Sequence, residues 1–196
     1  SAPSGVHSAQ GAVLETTQIT KQVTAQQSTD LFGLPKIRHL TLIEQQQQDA
    51  KTLMERQVAL AAEQQTNAVK MDAVVAQLKT HIGKTSYVFS GATPSGWDCS
   101  GLAYWAYQQL GIELRHSANA QGHAGTVVDT PKIGDIVVFA YKGSKSYYHA
   151  SIYIGNNEVI HAGFRPGTRT SVISLSDPSF KDSTETFVQI LDRGTY

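Results

Sequence analysis

Apolar residues recur every third and fourth position along one stretch of the chain: Leu40, Ile43, Gln47, Ala50, Met54, Gln57, Ala61, Gln64, Ala68, Met71, Val75, Leu78 and Ile82. Ten of these thirteen positions are apolar, and neither Pro nor Gly interrupts residues 36–82. That period predicts one long helix or two in series. Three glutamines and several alanines make the seam a weak coiled coil, so it serves either a helix leaning on its own domain or self-association. The glutamines at 45–48 read as a solvated helical face. Residues 1–35 are polar, rich in Ser, Thr and Gln, and read as an arm or linker. After Gly83 the pattern shortens. Residues 86–89 read as a short strand, and residues 90–96 are rich in turn formers. Residues 102–110 form a helix-friendly run ending at Gly111, and residues 113–131 are irregular and polar. Residues 135–139, 149–154, 158–162, 170–175 and 186–191 read as strands. Helices gathered before short strands with tight loops predict an α+β fold with an antiparallel sheet.

Composition changes this picture little. The chain has 196 residues, 40% hydrophobic and 8% aromatic, enough for one substantial domain plus an extension. Sixteen basic and sixteen acidic residues cancel, so no global field draws it to nucleic acid or anionic lipid. No apolar run approaches the roughly 18 residues of a membrane span, which argues against membrane insertion. Residues 1–5 lack the pattern of a signal peptide, which was either removed or never present, so the compartment stays open. No motif points to a nucleotide, a metal or another cofactor.

The single cysteine, Cys99, excludes an intramolecular disulfide. It lies at or just inside the start of the predicted helix, where the macrodipole and free amides favour a thiolate. The alternative is a buried thiol packed as a small hydrophobe. A nucleophilic cysteine needs an oriented base, and two strand histidines qualify. A two-residue turn at Asn156-Asn157 sets Ile152 against His161 and puts His149 and His161 on opposite faces. A three-residue loop of Gly155, Asn156 and Asn157 sets Ser151 against His161 and makes the histidines same-face diagonal neighbours. We expect the three-residue loop. His149 then takes the thiol proton, His161 orients its ring, and the Cys99 N–H is one oxyanion donor. A zinc site from Cys99, His149 and His161 lacks a second cysteine or close ligand spacing.

Five blocks carry a family resemblance: Tyr87-Val88-Phe89-Ser90-Gly91, Asp98-Cys99-Ser100-Gly101-Leu102, Gly134-Asp135-Ile136-Val137-Val138-Phe139, His149-Ala150-Ser151-Ile152-Tyr153-Ile154-Gly155 and Ile160-His161-Ala162. In order and spacing they resemble the NlpC-type cell-wall peptidases over about residues 68–192. The resemblance implies a papain-like domain over residues 68–196; the periodicity places before it a helical extension (residues 36–67), a candidate coiled coil or stalk. It implies Cys99 as nucleophile, His149 as base and His161 as orienting residue. The implied reaction is hydrolysis of peptidoglycan stem peptides through a thioester, between D-γ-glutamyl and a diamino acid. Tyr87 matches the tyrosine beside the cysteine, which serves the oxyanion or the substrate. Asp98 and Ser100 match positions that bind a stem-peptide amine, with a helix cap as the equal alternative for Asp98. Arg115 and Ser117 match an Arg-x-Ser block that is structural or lines the cleft, and Asp135 fixes a turn. Ser90 stands where glycine is usual, Gln121 lies one residue further on than usual, and Lys132-Ile133 replaces a common Pro. A phage tail component and a secreted or wall-associated hydrolase suit this layout equally, with residues 36–82 available for self-association or a larger assembly. An amidase or acyltransferase on the same scaffold, or a non-catalytic wall-binding module, is the alternative.

Overall fold

The structure, a computed structural model, describes residues 34–194. The arm expected over residues 1–35 lies outside the described residues as far as residue 33. Leu34 and Pro35 already belong to helix α1 (Leu34–Thr80), since proline is tolerated in a first helical turn. The helix is continuous rather than split in two. The described residues divide into two units, residues 34–58 and residues 59–194.

In the first unit, the described side chains from Thr41 to Val58 are exposed except for half-buried Ile43. The glutamines at 45–48 are all exposed, as expected of a solvated face. Good helix formers sustain this stretch, helped by local pairs such as Gln45 Nε2 to Asp49 Oδ1 at 2.8 Å.

In the second unit the same seam meets a core. Met71, Val74, Val75 and Leu78 are buried with Trp97, Leu102, Ala106 and Tyr107. Gln64 serves a different purpose from its apolar neighbours. Its Nε2 donates to Asp192 Oδ2 at 3.0 Å, and Asn67 Nδ2 donates to the Asp192 carbonyl at 3.0 Å. The C-terminal segment is thus held to the helix by side-chain amides. Beside it Arg193 forms a buried ion pair with Asp135, whose other oxygen accepts the Lys132 N–H at 2.7 Å. Asp135 therefore closes a turn, as expected, and also anchors the chain end.

The stretch at residues 86–89 is not a regular strand. It makes only isolated bridges, Ser86 to Arg169 and Tyr87 to Trp97. A two-stranded ribbon follows, β1 (Ala92–Thr93) and β2 (Gly96–Trp97), then helix α2 (Cys99–Gln108). The polar stretch at residues 113–131 contains a short helix, α3 (Ala118–Gln121), and a strand, β3 (Thr126–Val128), that alternation did not reveal. The remaining strands are β4 (Ile136–Tyr141), β5 (Tyr147–Gly155), β6 (Glu158–His161), β7 (Ser171–Ser174) and β8 (Ser183–Gln189).

β3 to β8 form one antiparallel sheet in the order β3-β8-β4-β5-β6-β7. Strand alternation divides its side chains between two cores. Ile136, Val138, Ala150, Ile152 and Ile160 pack with the helices. Val137, Phe139 and Val159 pack with Phe180 on the other face. Both faces are covered, which is why β4 reads as a continuous apolar run. Among the described residues no helix is long and apolar enough to cross a membrane.

Leu78→Ala should lower the unfolding free energy by about 3 kcal/mol in urea titration, because a fully buried leucine leaves a cavity. Leu53→Ala, at a position 57% exposed, should change it by less than about 0.5 kcal/mol.

Candidate active site

Cys99 is the first residue of α2, and Asp98 is the N-cap. The Asp98 carboxylate accepts from the Gly101 N–H at 2.7 Å and the Ser100 hydroxyl at 3.0 Å. It also accepts from the Ser90 N–H at 2.9 Å and pairs with His116 Nε2 at 2.8 Å. One side chain therefore caps the helix, closes the turn before it and holds the following loop. Gly101 has no alternative here, since a Cβ would run into the Gly91 carbonyl. Asp98 and Ser100 are buried and bonded to each other, so the helix-cap reading of Asp98 describes what its carboxylate does in this structure.

The Cys99 thiol lies against β5, where the Ala150 N–H points at it. That places it one residue along the strand from His149. The thiol is held above its ordinary pKa, first by burial, with the Asp98 charge adding to it. The N–H groups of Ala150, Ser100 and Cys99 itself pull the other way and lose. This corrects the expectation of a helix-stabilised thiolate: desolvation exceeds the help from the helix N-terminus.

The β5–β6 hairpin corrects a second expectation. Its turn has two residues, Asn156 and Asn157, both with positive φ (53° and 61°), and Gly155 pairs with Glu158. A bulge between Tyr153 and Gly155 then shifts the register, so that Ile152 pairs with Ile160. One residue further, this register sets Ser151 against His161, as the three-residue loop was expected to do. The outcome is the same but the device differs, because the extra residue sits inside the strand. His149 and His161 do meet: Nε2 of His149 is 3.2 Å from Nδ1 of His161.

Both imidazoles are buried. Phe164 covers them, its ring centroid 4.8 Å from each, and Phe139 and Phe180 stand behind His149. Burial, then the neighbouring His161, pushes the His149 pKa down to about 3. Burial pushes His161 down to about 4, against the pull of the Asp177 carboxylate. At neutral pH the thiol and both rings are uncharged. With Nε2 committed to His161, His149 keeps Nδ1 free.

Tyr87 is half-buried close enough to Cys99 and Asp98 for their charges to raise its hydroxyl pKa, after burial. Arg115 is exposed and enters the local structure through its carbonyl, which accepts from Gln121 Nε2 at 3.0 Å. Ser117 caps α3. Three residues went unread in the sequence. Ser171 lies with Oγ 3.1 Å from His161 Nε2, directly across the β6–β7 pair, and strand pairing could have found it. His116 and Phe164 come from loops and left no periodic signal. Among the described residues no cluster of His, Cys, Asp and Glu could hold a metal ion.

A family model described as the NlpC/P60 family matches residues 83–189, more than half of the chain. The chain belongs to the NlpC/P60 family. A probable endopeptidase of Mycobacterium tuberculosis is 42% identical over 92 residues, 46% of this chain and 23% of that protein. A gamma-D-glutamyl-L-lysine dipeptidyl-peptidase of Bacillus cereus is 31% identical over 97 residues, 48% of this chain and 29% of that protein. The chain thus spans less than a third of either relative. A crystal structure of an NlpC/P60 family protein from Bacillus cereus superposes with a TM-score of 0.57 at 27% identity, over 62% of this chain and 40% of that one. The α+β architecture read from the strand pattern is that of these NlpC/P60 domains.

The depressed imidazoles make stability depend on pH. Unfolded histidines titrate near 6.5, so below that pH the unfolded chain binds protons that the folded site refuses. Stability is therefore fully present above about pH 7 and falls as the pH drops. Each imidazole should cost about 2 kcal/mol by pH 5. Thermal melts should show a lower Tm at pH 5 than at pH 7.5, and His161→Asn should flatten that dependence.

Proposed function

We propose that this NlpC/P60 domain is a thiol hydrolase of peptidoglycan stem peptides, with Cys99 as nucleophile, His149 as base and His161 as the residue that orients it. The observation that carries the reading is the His149–His161 hydrogen bond at 3.2 Å beside a helix-start cysteine. Sγ attacks the scissile carbonyl carbon while its proton passes to Nδ1 of His149. In this reading the Cys99 N–H and the Tyr87 hydroxyl serve the oxyanion. Collapse of the tetrahedral intermediate expels the amine, which takes the proton from His149, and leaves a thioester on Cys99. Water, deprotonated by His149, then releases the acid and restores the thiol.

Burial raises the Cys99 thiol pKa and lowers that of His149, so both favour the neutral pair over an ion pair at rest. The name of the Bacillus cereus relative supports a bond after γ-D-glutamyl and before a diamino acid.

The test is digestion of purified peptidoglycan by wild type and Cys99→Ala, with fragments identified by mass spectrometry. Wild type alone should release stem-peptide fragments. Release by both proteins, or by neither, would refute the reading. His149→Ala should reduce kcat by at least about 10²-fold, and His161→Ala by less, because orienting a base is secondary to moving the proton. Equal losses would remove that division of roles.

A further inference from the structure

We propose that Ser171 is a fourth, positioning member of this site: its hydroxyl oxygen accepts the Nε2 proton of His161 and so selects the tautomer chain in which His149 can act as a base. The proposal rests on the reading of His149 as the base, and goes beyond it by assigning where each ring proton sits.

The geometry commits both nitrogens of His161. Nδ1 lies 3.2 Å from His149 Nε2, and Nε2 lies 3.1 Å from Ser171 Oγ. The second contact follows from the sheet itself, since His161 and Ser171 are direct partners across the β6–β7 ladder. In a neutral imidazole one nitrogen donates and the other accepts, so the three groups allow only two proton arrangements. In the first, Ser171 accepts from His161 Nε2–H, and His161 Nδ1 accepts from His149 Nε2–H. Nδ1 of His149 is then bare and can take the thiol proton. In the second every bond is reversed. Ser171 donates, His161 Nδ1–H donates to His149, and His149 carries its proton on Nδ1, where it is useless as a base.

A serine hydroxyl can play either part, but its surroundings favour the first. Ser171 is half-buried on the terminal strand of the sheet, so its own hydrogen can turn to solvent while a lone pair faces the buried ring. The rings of Phe139, Tyr148, Phe164 and Phe180 pack against His149, and of these Phe164 also packs against His161. None of these rings accepts a conventional hydrogen bond at His161 Nε2.

Three substitutions and one spectrum test this. In ¹⁵N spectra of the imidazoles, wild type should show His161 protonated at Nε2 and bare at Nδ1. Ser171→Ala should populate the reversed tautomer and lower kcat by about tenfold, with KM little changed. Ser171→Thr should restore both. Ser171→Asp supplies an acceptor that cannot donate, so it should keep the Nε2–H tautomer and hold kcat within about threefold of wild type. The proposal is overturned if His161 shows the same tautomer in wild type and Ser171→Ala, or if Ser171→Asp is as slow as Ser171→Ala. The spectra read the tautomer without turnover, so failure of the catalytic reading, seen as activity in Cys99→Ala, is distinguishable from failure here.

Discussion

The Asp98 carboxylate is the interaction on which the rest of the site depends. It is nearly buried, and it accepts from the Gly101 N–H, the Ser100 hydroxyl, the Ser90 N–H and His116. A carboxylate removed from water is stable only when its lone pairs are used. Those donors come from the turn before the helix, the helix itself and the loop after it. Satisfying one buried charge thus brings three segments together and fixes where Cys99 begins its helix. The same charge raises the thiol pKa. The group that positions Cys99 also opposes the ionisation of its thiol, adding to the larger effect of burial.

Trp97, immediately before Asp98, anchors the same turn by packing. Its ring is buried against His81 and Trp105. Its Nε1 donates to Thr170 Oγ1 at 2.8 Å, and that hydroxyl donates to the Thr85 carbonyl at 3.2 Å. The end of α1, the start of α2 and the approach to β7 therefore meet at one indole. Because β7 carries Ser171, this contact links the turn of Cys99 to the strand that meets His161. A large aromatic with one polar edge suits such a junction, filling volume and offering a directed donor together.

The histidine pair works through desolvation. Aromatic rings on one side and the sheet beneath exclude water, so neither ring is charged at neutral pH. Two neutral imidazoles 3.2 Å apart share one proton between facing nitrogens. A neutral His149 can accept a proton, although the same burial that keeps it neutral also weakens it as a base. The cost appears as acid sensitivity of the fold.

Much of this was legible in the residues alone. The period of Met71, Val75 and Leu78 announced the buried helix face. The turn formers before Cys99 and the helix-friendly run after it placed the cysteine at a helix start. The spacing of the two histidines around Gly155-Asn156-Asn157 required a register slip if they were to meet, and the ordered blocks identified the family. These signals are local: they depend on period and turn chemistry over a few residues. What only the tertiary structure decided was non-local. Whether the slip lay in the turn or in a bulge at Ile154 depended on how β5 pairs with β4 and β6. Gln64 belonged to the C-terminal segment 128 residues away, and the thiol's ionisation was set by what the fold buries around it. Phe164, His116 and Ser171 joined the site through long-range packing and strand pairing. Desolvation and cross-strand partnership are properties of three-dimensional neighbours, and a one-dimensional pattern does not name them.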